Sequence, residues 1–219
     1  MHLKVYNAIL YTKLIITSQI FSYDGFDREV FATKNVKLEV KNFAADFEIP
    51  WGMAFLPDTS MLVTDLSGSL YRVYQDGDKD VIEGMPNVYY KGQGGLLDVE
   101  VHPDFLENNY IYVSYSQPKK GKAFTAVARA KLIRNQLEDF EIIYSTEYKH
   151  YSRKTVHFGS RFAISGDYLF FSIGDRGERD EAQDLDKPNG KIHRLHLDGR
   201  VPSDNPFKSK NGDVSTIWC

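Results

Sequence analysis

The 219-residue chain carries 27 Lys+Arg against 30 Asp+Glu, a formal charge of −3 at neutral pH, so bulk charge draws no nucleic acid or other polyanion to it. With 42% hydrophobic and 26% charged residues it reads as soluble and globular, which excludes disorder and collagen-like repeats. The 14% aromatic fraction favours strands, because flat and β-branched side chains pack well on a pleated surface, and an all-β fold is the first expectation.

Residues 1–22 have a basic start and an apolar tendency, but Lys13 splits the run and no small-x-small cleavage site follows. They read as a degenerate export signal or an irregular leader, with a periplasmic or secreted location as the corresponding expectation. Residues 1–45 are taken together as a leader or poorly ordered segment ahead of a domain over 46–219. No run approaches the ~18 to 20 apolar residues needed to span a bilayer. The single cysteine, Cys219, permits no internal disulfide.

From Asp46 onward one arrangement recurs: a short apolar strand, a turn with Pro, Asp or Gly, and a second apolar strand. In the first unit Trp51–Leu56 turns at Pro57-Asp58-Thr59-Ser60 into Met61–Asp65, then at Ser67-Gly68 into Leu70–Tyr74, before Asp76-Gly77. Pro presets φ, and Asp and Gly tolerate the conformations that reverse a chain. The second unit runs Leu97–Val101, His102-Pro103-Asp104, Tyr110–Ser116 and Thr125–Ala130. The third runs Ser160–Ile164, Ser165-Gly166-Asp167 and Tyr168–Ile173, and Lys191–Leu197 follows after a long inserted loop, Gly174–Gly190.

The aligned turns lie 46 and 63 residues apart, near the ~40 to 50 of a four-stranded propeller blade with one insertion. A β-propeller is therefore expected, ahead of a β-sandwich, with about three to four blades between Asp46 and Cys219. The apolar Thr216-Ile-Trp-Cys at the end reads as the interior of a strand, so the propeller is expected to be cut short at its C-terminal side.

Three loop clusters could carry chemistry. In Lys91-Gly-Gln-Gly-Gly the glycines allow close backbone approach, and Gln93 projects one amide that both donates and accepts. In Val156-His157-Phe158-Gly159, His157 stands just before a strand and could take a proton from a substrate hydroxyl. The third, Gly174 to Asp186, holds six acids interleaved with Arg176 and Arg179. It lacks the ligand order of a calcium loop and reads as a solvated charged loop, with Gln183 as its neutral polar group. Taken alone, these clusters read first as a flexible turn, a structural or surface histidine and a solvated charged loop. No metal ligand set can be read, and Lys119, Lys120 and Lys122 form only a short basic turn.

In order, Pro50–Asp58, Gly92-Gln-Gly-Gly-Leu-Leu-Asp-Val, His102-Pro-Asp-Phe, Tyr110–Ser116, His157-Phe-Gly-Ser-Arg, Gly174-Asp-Arg-Gly, Ala182-Gln-Asp-Leu, Gly190-Lys-Ile and Asp198–Phe207 resemble the soluble quinoprotein aldose/glucose dehydrogenases of the glucose/sorbosone dehydrogenase family. The resemblance spans about Phe47 to Trp218. It implies a six-bladed propeller that holds pyrroloquinoline quinone (PQQ) with calcium over its central channel and oxidises the anomeric hydroxyl of sugars to lactones.

By the same resemblance His157 is the general base, Gln93 a polar contact to quinone and sugar, and Gln183 a contact to the sugar. The implied partners are an aldose, an electron acceptor and, for the full-length form, a second copy in a homodimer. Val156 stands where an aspartate can precede and orient the base in the family's glucose dehydrogenases. This turns the comparison toward the broad-specificity aldose branch and puts full basicity in question. Most of the family's quinone and calcium groups are expected in segments beyond Trp218. A non-enzymatic propeller serving as an extracellular binding module is the alternative from another class.

Overall fold

The structure, a computed structural model, describes residues 28–32, 34 and 37–219; the leader expected over 1–22 lies outside them. Two compact units divide between Ala45 and Asp46. In the first, β1 (Arg28–Ala32) pairs antiparallel with β2 (Lys37–Lys41). No helix among the described residues is long and apolar enough to cross a membrane.

The second unit is three antiparallel sheets in sequence order. The first contains β3 (Pro50–Phe55), β4 (Met61–Asp65), β5 (Leu70–Val73) and β6 (Lys79–Ile82). Its reversals follow from turn chemistry: Asp58 Oδ1 accepts from Ser60 N at 3.0 Å, Asp65 Oδ1 accepts from Ser67 N at 3.0 Å, and Asp76 Oδ1 accepts from Asp78 N at 3.1 Å. The next sheet contains β7 (Leu96–Val101), β8 (Tyr110–Lys119), β9 (Lys122–Ile133) and β10 (Gln136–Tyr144). A helical turn, α1 (Phe105–Asn108), extends the reversal expected at His102-Pro103-Asp104. Between β8 and β9, Lys120 and Gly121 both have positive φ, +48° and +73°, as a tight two-residue hairpin with right-handed strand twist requires.

The third sheet contains β11 (Gly159–Ser165), β12 (Tyr168–Ile173) and β13 (Lys191–His196). Residues 216–219 pair beside β13: Trp218 N donates to Ile192 O at 2.8 Å, and Arg194 N to Thr216 O at 2.8 Å. The first two sheets thus have four strands each where the sequence reading found three, and the third has three. The strands it passed over, β6 and β10, are charged (Lys79-Asp80, Glu138-Asp139, Glu141) because they lie at sheet edges, where one face meets water.

The middle sheet is buried on both faces. Ile111, Val113 and Tyr115 of β8 pack with Leu62, Leu70 and Ile82 of the first sheet. The alternate Tyr112 packs with Leu169, Phe171 and Leu195 of the third. This period of two accounts for the aromatic content, since each sheet must fill the wedge beside its neighbour. His193 of β13 lies fully buried in the second cluster: its ring stacks 5.1 Å from Phe171, its Nε2–H donates to Pro188 O at 2.8 Å, and its Nδ1 accepts from the Thr216 hydroxyl at 2.9 Å.

The first strands of the sheets, β3, β7 and β11, lie side by side, as the inner strands of propeller blades do around a hub. Asp98 of β7 fastens them. Its Oδ1 accepts from Arg161 Nη1 at 2.9 Å and its Oδ2 from Phe162 N at 2.9 Å, while a Cβ on Gly52 of β3 would come within 2.5 Å of Oδ1. Asp98 is almost fully buried and both oxygens are bonded, so a carboxylate here is compatible with the apolar surroundings.

Candidate active site

Three loops meet at the ends of β7, β11 and β12: Lys91–Gly95 before β7, Lys154–Phe158 before β11, and 174–190 between β12 and β13. The first two are laced together. Gln93 N donates to Thr155 O at 2.8 Å, and His157 N donates back to Gln93 Oε1 at 2.7 Å. Gly92 makes this approach possible: at φ +62° it lies so close that a Cβ would stand 2.6 Å from Thr155 O. With its oxygen committed, Gln93 keeps an amide nitrogen that has no protein partner among the described residues.

His157 has φ +52°, a left-handed conformation that a non-glycine residue adopts at a cost, and its side chain is 48% exposed. The third loop holds the ring. His157 Nδ1 lies 2.7 Å from Asp175 Oδ1. A carboxylate can only accept, so Nδ1 carries the hydrogen, and in the neutral form of the ring Nε2 is the nitrogen with the free lone pair. Asp175 is fixed in turn by Gly177 N, which donates to the same Oδ1 at 2.8 Å, and by Asn189 Nδ2, which donates to its backbone carbonyl at 3.0 Å. The Gly177 amide first, then the His157 ring, hold the Asp175 carboxyl below the usual carboxylate range, so it stays ionised beside the imidazole.

The carboxylate beside the His157 ring thus comes from Asp175, in another strand connection, and not from position 156. The sequence signal was the aspartate inside Gly174-Asp-Arg-Gly; it was passed over because the surrounding acids made it look like one charge among many. Arg176 corrects the reading of that loop as solvated. It is 2% exposed, and burial draws its guanidinium down to about 10. Gln183 ends a 3-10 turn, Arg179–Gln183, exposed and without a hydrogen bond among the described residues. The structure thus joins Gln93 to His157 directly and leaves Gln183 further along the loop that carries Asp175.

No group of three or more His, Cys, Asp or Glu that could hold a metal gathers among the described residues, so none of them is assigned to calcium. The groups at the loop end, a free amide nitrogen beside an imidazole, do suit a planar carbonyl-rich ring and a hydroxylated substrate.

Residues 47–219 match the Glucose / Sorbosone dehydrogenase family. The chain belongs to that family. It is 38% identical over 193 residues to the aldose sugar dehydrogenase YliI of Escherichia coli, covering 85% of this chain and 51% of the relative. It is 28% identical over 248 residues to quinoprotein glucose dehydrogenase B of Acinetobacter calcoaceticus, covering 99% of this chain and 51% of that one. The apo crystal structure of the soluble E. coli aldose sugar dehydrogenase superposes with a TM-score of 0.74 at 37% identity, over 80% of this chain and 52% of that chain. The chain spans about half the length of these relatives. Its three sheets are blades of the six-bladed propeller of these glucose/sorbosone dehydrogenases, in agreement with the expected all-β class and blade count.

Proposed function

We propose that the protein oxidises the anomeric hydroxyl of aldose sugars to lactones, with His157 as general base. The observation that carries this is the His157–Asp175 pair, which engages Nδ1 and leaves Nε2 without a protein partner among the described residues, on a half-exposed ring at the meeting point of three loops. Nε2 takes the sugar hydroxyl proton, and the ionised Asp175 stabilises the imidazolium that results. Gln93 offers its free amide nitrogen to an oxygen of the sugar or the cofactor, while its oxygen keeps the His157 backbone in place. Gln183 is proposed as a further sugar contact. Bound PQQ would supply the hydride acceptor, near Gln93 and His157; calcium accompanies it by family resemblance, with no ligand assigned in this chain.

The activity is proposed for the full-length protein carrying this sequence, acting on an aldose and passing electrons to an acceptor outside the cytoplasm, as a homodimer. The test is aldose-dependent dye reduction by that protein with PQQ and calcium added. His157→Ala should lower turnover by about 10²- to 10⁴-fold, the range of a lost general base; turnover unchanged by that substitution would refute the assignment.

A further inference from the structure

Arg176 is a large side chain buried to 2% exposure, and among the described residues no carboxylate pairs with it. Its Nε is buried without any partner. A lone cation inside a protein is costly and is kept only where other contacts offset it. All of those contacts fall on one short segment. Nη1 donates to Val156 O at 2.6 Å and Nη2 to Lys154 O at 2.6 Å. The guanidinium lies 3.3 Å from the centroid of the Phe158 ring, and the Arg176 amide donates to His157 O at 3.3 Å. The fork therefore grips the residues on both sides of His157 and leaves the imidazole itself untouched.

The grip continues into the Gln93 loop. Gly94 also abuts the Phe158 ring, where a Cβ would stand 2.8 Å from Phe158 Cε2. Guanidinium, aromatic ring and glycine are all buried and in mutual succession. Asp175 and Arg176 are consecutive, so one turn holds His157 twice, by its ring through Asp175 and by its backbone through Arg176. Both His157 and Arg176 have left-handed backbones, at φ +52° and +58°, which persist only where surrounding contacts fix them.

We infer that Arg176 is a positioning residue that sets the His157 ring against Asp175 and in register with Gln93. Lysine does not replace it, because one ammonium cannot bridge two carbonyls in a plane while lying flat on an aromatic ring. The inference rests on the proposed function only for its catalytic meaning, and its test uses neither quinone nor sugar.

The test is ¹⁵N NMR of the histidine rings in the protein and in Arg176→Lys, with buried His193 as internal reference. In the parent, the two His157 ring nitrogens should give separate signals, Nδ1 protonated and Nε2 bare. In Arg176→Lys they should move toward an average of the two tautomers, with His193 unchanged. His157 signals that stay separate in the variant overturn the inference, and so does an equal change at His193, which would mean general loosening. If Arg176→Lys does not fold, the parent decides: the Arg176 Nη hydrogens should be solvent-protected and their rotation hindered, and freely averaged signals overturn the inference. Failure of aldose oxidation alongside a tautomer that depends on Arg176 would sink the proposed function and leave this inference standing.

Discussion

Acidification should loosen the blade that carries the site, and His193 sets the size of the effect. The ring is fully buried between Phe171 and Tyr144 with both nitrogens bonded, and burial lowers its pKa from 6.5 to about 4. The folded state thus prefers the neutral ring, while the unfolded chain binds a proton from about pH 6.5 downward. Stability from this group is complete above the unfolded value, is lost as pH falls, and levels off near the folded value. By linkage the loss should reach about 2.5 kcal/mol at about pH 4.5. The assay is urea unfolding at constant ionic strength between about pH 7.5 and about pH 4.5, comparing the parent with His193→Gln. His102 and His150, whose pKa values burial also lowers, titrate in both proteins and cancel. The carboxylates held below their usual range, such as Asp175, lose their contribution only at lower pH. The parent should show the steeper fall; parallel curves for the two proteins would refute the reasoning. The added proton goes to Nδ1, so the Thr216 hydroxyl must turn from donor to acceptor, while the Nε2–H bond to Pro188 O is kept.

Asp175→Asn should keep the fold, because its partners are hydrogen bonds at a partly exposed position, yet lower kcat by about 10²- to 10³-fold by offering the ring an amide and losing the charge that favours imidazolium. Aldose turnover and the ring ¹⁵N signals check both halves. Gln93→Glu keeps an acceptor for His157 N–H but removes the free amide donor, so KM for sugar or quinone should rise about tenfold with little change in thermal stability. Gly92→Ala should destabilise by about 1 to 3 kcal/mol, since the added carbon meets Thr155 at a left-handed φ, and a thermal melt measures it.

Much of the fold could be read from the sequence, and the reasons are local. Pro57-Asp58, Ser67-Gly68 and Gly166-Asp167 reverse the chain through their own φ preferences and side-chain bonds, so they read correctly without tertiary context. The edge strands β6 and β10 escaped because half-exposed strands carry charges and lose their apolar signature. The site divided in the same way. Gln93 and His157 stood out by residue type and by family resemblance, but their mutual bond crosses 64 residues and the His157–Asp175 pair crosses 18, distances over which no local pattern reports. Arg176 was the hardest to place. An arginine among six acids reads as surface charge, and only the packing of Phe158 and two backbone carbonyls reveals a buried guanidinium.

The close backbone contacts around the hub have a consequence for how selectivity can change. A Cβ on Gly95 would fall 2.0 Å from Leu66 O, and one on Gly174 would fall 2.2 Å from His157 O, so at these points the loop ends touch main chain to main chain. Such contacts have no rotamers to swing aside, so they hold the loop ends at a fixed spacing. On the proposed function, sugar preference is then to be altered by exchanging the side chains of Gln93 and Gln183, with the loop backbones held constant.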